Sequence, residues 1–152
     1  DYARVVRAIL DYYRANPTGW QGCWQMVQDK WGDTDLCPDG FNQPFNIDAE
    51  INEGYVVIGL LYGEGDFAKT LEISTRCGQD NDCNPSTAAG VLGVLYGYSR
   101  IPQEFKLQIP LISDRPFLNT SYNFTSLIQA CRQQTTRIVE KFGGNIQRLG
   151  YR

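Results

Sequence analysis

Residues 78–102 read GQDNDCNPSTAAGVLGVLYGYSRIP, and the fold is decided by how this stretch is understood. Two carboxylates, Asp80 and Asp82, stand two residues apart, and a run rich in Ala and Gly follows at once. Pro85 suits the first turn of a helix, where its missing N–H costs nothing, and Asn84 suits the N-cap position before it. The spacing predicts a helix over 85–96, carrying Ala89, Gly93 and Gly97 at four-residue steps together with Ala88 and Gly90. Glycine costs up to about 1 kcal/mol in a helix interior. So many small residues imply that another helix packs closely across that face.

Working outward, residues 67–76 continue a helical rhythm, and residues 49–62 place Ile51, Tyr55, Ile58 and Tyr62 on one helical face. Gly63-Glu64-Gly65-Asp66 breaks and recaps the chain between these two helices. Further upstream, Tyr2, Val5, Val6, Ile9, Leu10 and Tyr13 recur at helical spacing, with Asp1 as N-cap and Asn16-Pro17 as the stop. A second helix covers 20–31 through Trp20, Cys23, Trp24, Val27 and Trp31. Residues 32–48, rich in Gly, Pro, Asp and Asn, read as a long loop. Downstream, Pro102, Pro110 and Pro116 make the chain irregular. A last helix spans 122–142, with Leu127, Ile128, Cys131, Thr135, Ile138, Val139 and Phe142 as its inner stripe. The nearest approach to a period-two strand, 105–112, is interrupted by Pro110. The expected architecture is one all-α domain of about six helices.

Composition supports that reading and removes several function classes. The chain has 152 residues, 42% hydrophobic and 20% charged, the balance of a globular domain rather than a disordered one. Its net charge is -3 and its basic residues are scattered, which argues against a nucleic-acid surface. No apolar stretch reaches the roughly 20 residues that span a bilayer, so the chain reads as soluble. It lacks an initiator Met and a signal-like segment, and reads as a processed or excised piece of something longer. There is no histidine, which eliminates His-based triads, His metal ligands and the commonest general base. Five cysteines, Cys23, Cys37, Cys77, Cys83 and Cys131, contain no CxxC pair, which argues against structural zinc. Cys23 and Cys37 are candidates for a loop-closing bridge in an oxidising compartment, the alternative being ordinary buried thiols.

Two readings compete for the acidic loop. Asp and Asn are favoured in solvated turns and before helices. Oxygen ligands at i and i+2 are also a common way to hold a hard cation such as Mg²⁺ or Ca²⁺. A calcium loop of the EF-hand type fails, because Pro85 stands where its Gly is required and Val91 where its bidentate Glu is required. The same test on Asp33-Thr34-Asp35 fails at Pro44.

With acidic pair, glycine-bearing helix and trailing Ile-Pro in order, residues 78–102 resemble the C-terminal metal motif of the ADP-ribosylglycohydrolases. There a Gly-Gly-Asp-Thr-Asp-Thr sequence precedes a small-residue helix, and a short loop leads to Ile-Pro. The preceding GYVVIGLLYGEGDFAKTLEISTRC, residues 54–77, is similar to the helix pair before that motif. The likeness covers about 52–105. It implies an all-α, orthogonal multi-helix bundle holding two Mg²⁺ ions, with Mn²⁺ as a substitute. It also implies hydrolysis of a glycosidic bond at the ribose anomeric carbon of small-molecule or protein-linked ADP-ribose conjugates. By position, Asp80 and Asp82 would be metal ligands, and Cys83 takes the place of the family's hydroxyl ligand. A thiol is a poor partner for Mg²⁺, so Asn81 or Asn84 is the alternative oxygen donor.

GDTD at 32–35 mimics the motif more literally, but no small-residue helix follows it and it reads as loop. The family's Thr-Asp-Asp segment has no match here. The expectation is therefore the C-terminal part of a longer domain, incomplete at its N-terminus and carrying half of a metal site. Glu53 and Glu64 are acid–base candidates only by nearness in sequence. Trp20, Trp24 and Trp31 fit a core better than a sugar-stacking platform. Two other functions stay open: a relative that acts on another glycoside, and a non-catalytic binding or structural domain. Asn119-Thr120-Ser121 and Asn123-Phe124-Thr125 match the N-glycosylation triplet, which arises often by chance.

Overall fold

Tyr55 is wholly buried, and eight of the fifteen residues of the helix that carries it are buried. A computed structural model of the chain describes residues 2–32 and 47–145. These form seven α-helices, α1 (Tyr2–Ala15), α2 (Trp20–Trp31), α3 (Ala49–Gly63), α4 (Phe67–Arg76), α5 (Cys83–Tyr96), α6 (Ile109–Ile112) and α7 (Phe124–Lys141). Two single-turn 3-10 helices lie at Tyr98–Arg100 and Gln103–Phe105, and no strand occurs among the described residues. The all-α class expected from the periodicity is what the chain adopts. The short α6 is an addition to the expected helices. The proposed Cys23 bridge involves Cys37, which lies outside the described residues, as do Asp1 and Asp33-Thr34-Asp35.

The chain divides into two compact units, Asp1–Ile101 and Pro102–Arg152. In the first, α3 is the axis, in contact with α1, α2, α4 and α5. Its expected stripe of Ile51, Tyr55, Ile58 and Tyr62 is buried, joined by Val5 and Ile9 of α1, Cys23 and Val27 of α2, and Ile73 and Cys77 at the end of α4. Trp20, Trp24 and Trp31 pack against this cluster. The Trp24 indole donates to the Cys77 carbonyl at 2.8 Å, and the Arg76 guanidinium lies 5.6 Å from the centre of the Trp20 ring. The three tryptophans belong to the core.

The α3–α4 turn is built as its residues dictate. Glu64 and Gly65 take positive φ, and Asp66 caps α4 by accepting from the Lys69 amide at 2.7 Å. Beyond it the two helices touch backbone to backbone. A Cβ on Gly63 would lie 2.8 Å from both Cα and Cβ of Thr70, and a Cβ on Gly59 would lie 2.8 Å from Cβ of Ser74. The close approach inferred for the glycines of α5 is thus made by α3 instead. Gly90 has open space around it, and Gly93 has only the tip of Ile101 at 3.7 Å. Helix α5 packs on α3 and α4 through Ala88 and Leu92.

In the second unit α7 begins with a full capping box. The Asn123 side chain accepts from the Ser126 amide at 2.8 Å, and the Ser126 hydroxyl accepts from the Asn123 amide at 2.9 Å. The stripe expected to be its inner face is not buried, with Ile128, Ile138 and Phe142 all exposed.

Replacing Gly63 by Ala forces a methyl into the α4 backbone. Overpacking of this kind costs about 1–3 kcal/mol, so Gly63→Ala should lower the urea midpoint clearly. Gly90→Ala, in open space inside a helix, should raise stability by up to about 1 kcal/mol. Equal effects at the two sites would remove the helix contact from the explanation.

Burial also pushes the Cys23 thiol up to about 11 and the Cys77 thiol to about 12, each from an ordinary value of 9.0. Unfolding releases both to ionise near 9, so their contribution to stability is complete below pH 9 and is lost between pH 9 and about 12. Urea unfolding at pH 7, 9 and 10.5 should show stability falling over the upper interval only, and the fall should be shallower in a Cys23→Ala, Cys77→Ala protein.

Candidate functional site

Helix α4 ends at Arg76, and the chain must reverse within a few residues to enter α5. Gly78 (φ 90°) and Gln79 (φ 51°) make that reversal in the left-handed region. Glycine adopts this conformation freely, whereas a side chain there costs about 1–2 kcal/mol. Gln79 is held in place by its own side chain, whose Oε1 accepts from Asn52 Nδ2 at 2.8 Å. The Asn84 amide bonds to the Asp80 carbonyl at 3.0 Å and Ser86 to the Asp82 carbonyl, so the loop winds directly into α5.

The expected N-cap at Asn84 is displaced by two residues. Helix α5 starts at Cys83, with Asp82 in the cap position and its side chain unused for capping, while Asp80 Oδ1 accepts from the Cys83 amide at 3.4 Å. Asn84 lies inside the first turn with its side chain turned inward, donating to Asn52 Oδ1 at 2.7 Å. Pro85 occupies that first turn as expected.

This winding brings Asp80, Asp82 and Cys83 together, their ligand atoms all within 4.8 Å of one another. Asp80 is half-buried; Asp82 and Cys83 are exposed. The Cys83 thiol donates to the Asp80 carboxylate and holds it below its ordinary value. The same bond to Asp80 pushes the Cys83 thiol up, and the charges of Asp80 and Asp82 push it further. At neutral pH the ionised Asp80 thus stands beside a protonated thiol.

The other candidates fall elsewhere. Glu53 is exposed on α3, next to Asn52. Glu64 is tied to Lys69 at 2.7 Å. It lies at the far end of α3, about 18 Å along the axis from Asn52 at 1.5 Å per residue.

Asn52 is the residue that sequence reasoning missed. It is buried, with 6% of its surface exposed, in a helix whose other buried residues are Ile, Tyr and Gly. A signal was present: Asn52 precedes Gly59 by seven residues and Gly63 by eleven, so all three share a helical face.

A profile of the ADP-ribosylglycohydrolase family matches residues 1–139. The chain belongs to the ADP-ribosylglycohydrolase family. Comparison with curated proteins and with solved structures gave no match. The family acts on ADP-ribosylated substrates and is metal-dependent in general. The likeness drawn from residues 52–105 proves too narrow. The match takes in α1 and α2 as well, and the placement of the chain in the family's C-terminal half gives way to a likeness along nearly all of it.

The resemblance implies Mg²⁺, and the donor atoms decide how well these residues suit it. Mg²⁺ takes one or two carboxylates and keeps several waters. Asp80 and Asp82 fit that pattern, being adjacent, with Asp82 exposed and Asp80 half-buried. Cys83 does not: its sulfur is soft and its proton is directed at Asp80. The Asn84 amide faces the interior, bonded to Asn52. The arrangement suits one ion held by two carboxylates.

Iodoacetamide provides a readout of this electrostatics. Cys83 should alkylate slowly at pH 8, and its rate should rise with pH only above the range of an ordinary exposed thiol. Asp80→Asn should move that rise to lower pH and speed the reaction several-fold at pH 8, leaving the exposed Cys131 as an unchanged internal reference. A pH profile for Cys83 that ignores the substitution would refute the Asp80–Cys83 contact.

Proposed function

We propose that this ADP-ribosylglycohydrolase family member is a hydrolase that cleaves the glycosidic bond at the ribose anomeric carbon of an ADP-ribose conjugate, with Asp80 and Asp82 as its Mg²⁺ ligands. The observation that carries the reading is the convergence of these two carboxylates at the start of α5 in a chain matched to the family over residues 1–139. Mn²⁺, with similar preferences for oxygen, is expected to substitute.

Bound between Asp80 and Asp82, the ion would supply positive charge that binds ribose hydroxyls and favours the oxocarbenium-like state at the anomeric carbon. The chain's own part is positional. Asp80 is anchored through its backbone on both sides, its amide donating to Asn52 and its carbonyl accepting from the Asn84 amide. Its carboxylate therefore has a fixed origin. Asp82, exposed at the mouth of α5, is open to water and to a sugar hydroxyl. With no histidine in the chain, any proton transfer contributed by it would fall to a carboxyl group.

One observation favours a second reading. Cys83 stands where the resemblance places a hydroxyl ligand, and its bulkier, softer sulfur changes the donor set that a substrate meets. A relative that works on a different glycoside would accommodate that exchange. A panel of sugar glycosides beside ADP-ribosyl substrates separates the two.

Isothermal titration with Mg²⁺ should show binding by the wild-type chain and none by an Asp80→Asn, Asp82→Asn protein that remains folded by circular dichroism. Release of ADP-ribose should require Mg²⁺, stop with EDTA and be absent in the double variant. Wild-type release that survives both EDTA and the double substitution would overturn the proposal.

A further inference from the structure

Asn52 lies outside the carboxylate group yet touches every segment that shapes it. Its Nδ2 donates to the Asp48 carbonyl at 2.8 Å and to Gln79 Oε1 at 2.8 Å. Its Oδ1 accepts from the Asp80 backbone amide at 3.1 Å and from Asn84 Nδ2 at 2.7 Å. One buried amide thus uses two donor and two acceptor positions on four different residues. The pattern also fixes which way the amide faces. The two backbone partners decide it, because a flipped amide would set its oxygen against the Asp48 carbonyl and its NH₂ against the Asp80 N–H.

The consequences are unequal across the loop. Gln79, in the left-handed region, has its side chain held by this bond, and Asp80 has its N–H held by the same residue. Asn84 is drawn inward from the first turn of α5, which leaves Asp82 and Cys83 on the outer side. Three of the four bonds reach Gln79, Asp80 and Asn84, the fourth ties the amide to the Asp48 carbonyl before α3, and none goes to a carboxylate oxygen. That is the position of a group that orients metal ligands without being one.

We propose that Asn52 is the positioning residue of the Asp80–Asp82 site, holding the loop in its ligating shape through Gln79, Asp80 and Asn84. The inference rests on the metal-binding reading above. Partners one step behind a metal ligand typically change affinity about 10- to 100-fold when removed, and the same is expected here.

The probe is Mn²⁺ itself, with free ion counted by its electron paramagnetic resonance signal, in the wild-type chain, Asn52→Ala, Gln79→Gly and Asp80→Asn, Asp82→Asn. Each protein is titrated at a temperature and pH where circular dichroism shows it folded, so that lost stability does not count as lost affinity. Asn52→Ala should bind Mn²⁺ at least about 10-fold more weakly than wild type, and the Asp80 amide should lose its protection from hydrogen exchange. Gln79→Gly keeps the left-handed backbone and removes only the side-chain bond. It should weaken binding to a smaller extent, and it carries the test if Asn52→Ala does not fold. Wild-type affinity in the folded Asn52→Ala protein, or in Gln79→Gly where that is the variant that folds, would overturn the role of Asn52 while leaving the metal site standing. Absence of binding by the wild-type chain, or binding that persists in the double aspartate variant, would overturn the metal reading and this assignment with it.

Discussion

The contact on which the first unit depends is the one with no side chains between its helices. At Gly59 and Gly63, α3 meets the backbone of α4 so closely that a methyl at either glycine would collide with Thr70 or Ser74. Dispersion and exclusion of water favour such an approach. It also has a cost, because the Thr70 and Ser74 hydroxyls are buried without a hydrogen-bond partner, and an unsatisfied buried hydroxyl costs about 1–3 kcal/mol. Spacing set by two glycines determines how close α4 lies to α3, and with it the Gly78–Gln79 reversal at its end. A wider separation of the two helices would take the loop out of reach of Asn52.

Seen this way, the acidic loop is not a free surface turn. A solvated turn needs no buried partner, and its Asp and Asn side chains bond locally. Here the frame of the loop is bonded to α3, across 28 residues of sequence at Asp80 and 32 at Asn84. The carboxylates, by contrast, face outward and take no hydrogen bond from α3. Rigid frame and open ligands form the arrangement that a cation site requires: backbone order supplied in advance, and side-chain oxygens left for the ion and its waters. A soft cation at such a site would have to displace the Cys83 proton against the pull of Asp80.

How much of this was legible in the residues follows from the range of each interaction. The helices and the α3–α4 turn rest on local rules: the 3.6-residue spacing of Ile51, Tyr55, Ile58 and Tyr62, the cap at Asp66, the glycines at 63 and 65. These were readable. So was the pairing of Asp80 with Asp82, which lie two residues apart whatever the fold. Partner choice was not local. Ala and Gly on α5 announced a close helix contact, yet Gly90 and Gly93 meet almost nothing and the contact is made by α3. Small residues record that space is scarce near a helix only if a neighbour stands there, and composition does not name the neighbour. The inner stripe assigned to α7 failed for the same reason, since apolar spacing gives a face but not its cover.

Asn52 shows where the limit lies. As a sequence feature it is a lone amide in an apolar helix, which by itself argues against burial. Its burial is tolerated only because four partners meet it, and three of them, Gln79, Asp80 and Asn84, lie in the acidic loop and the first turn of α5 that continues it. The loop therefore satisfies the helix as much as the helix holds the loop. The loop's backbone cannot loosen without leaving the buried Asn52 amide with unmade bonds. That mutual dependence ties the order of the candidate metal ligands to the close approach of α3 and α4.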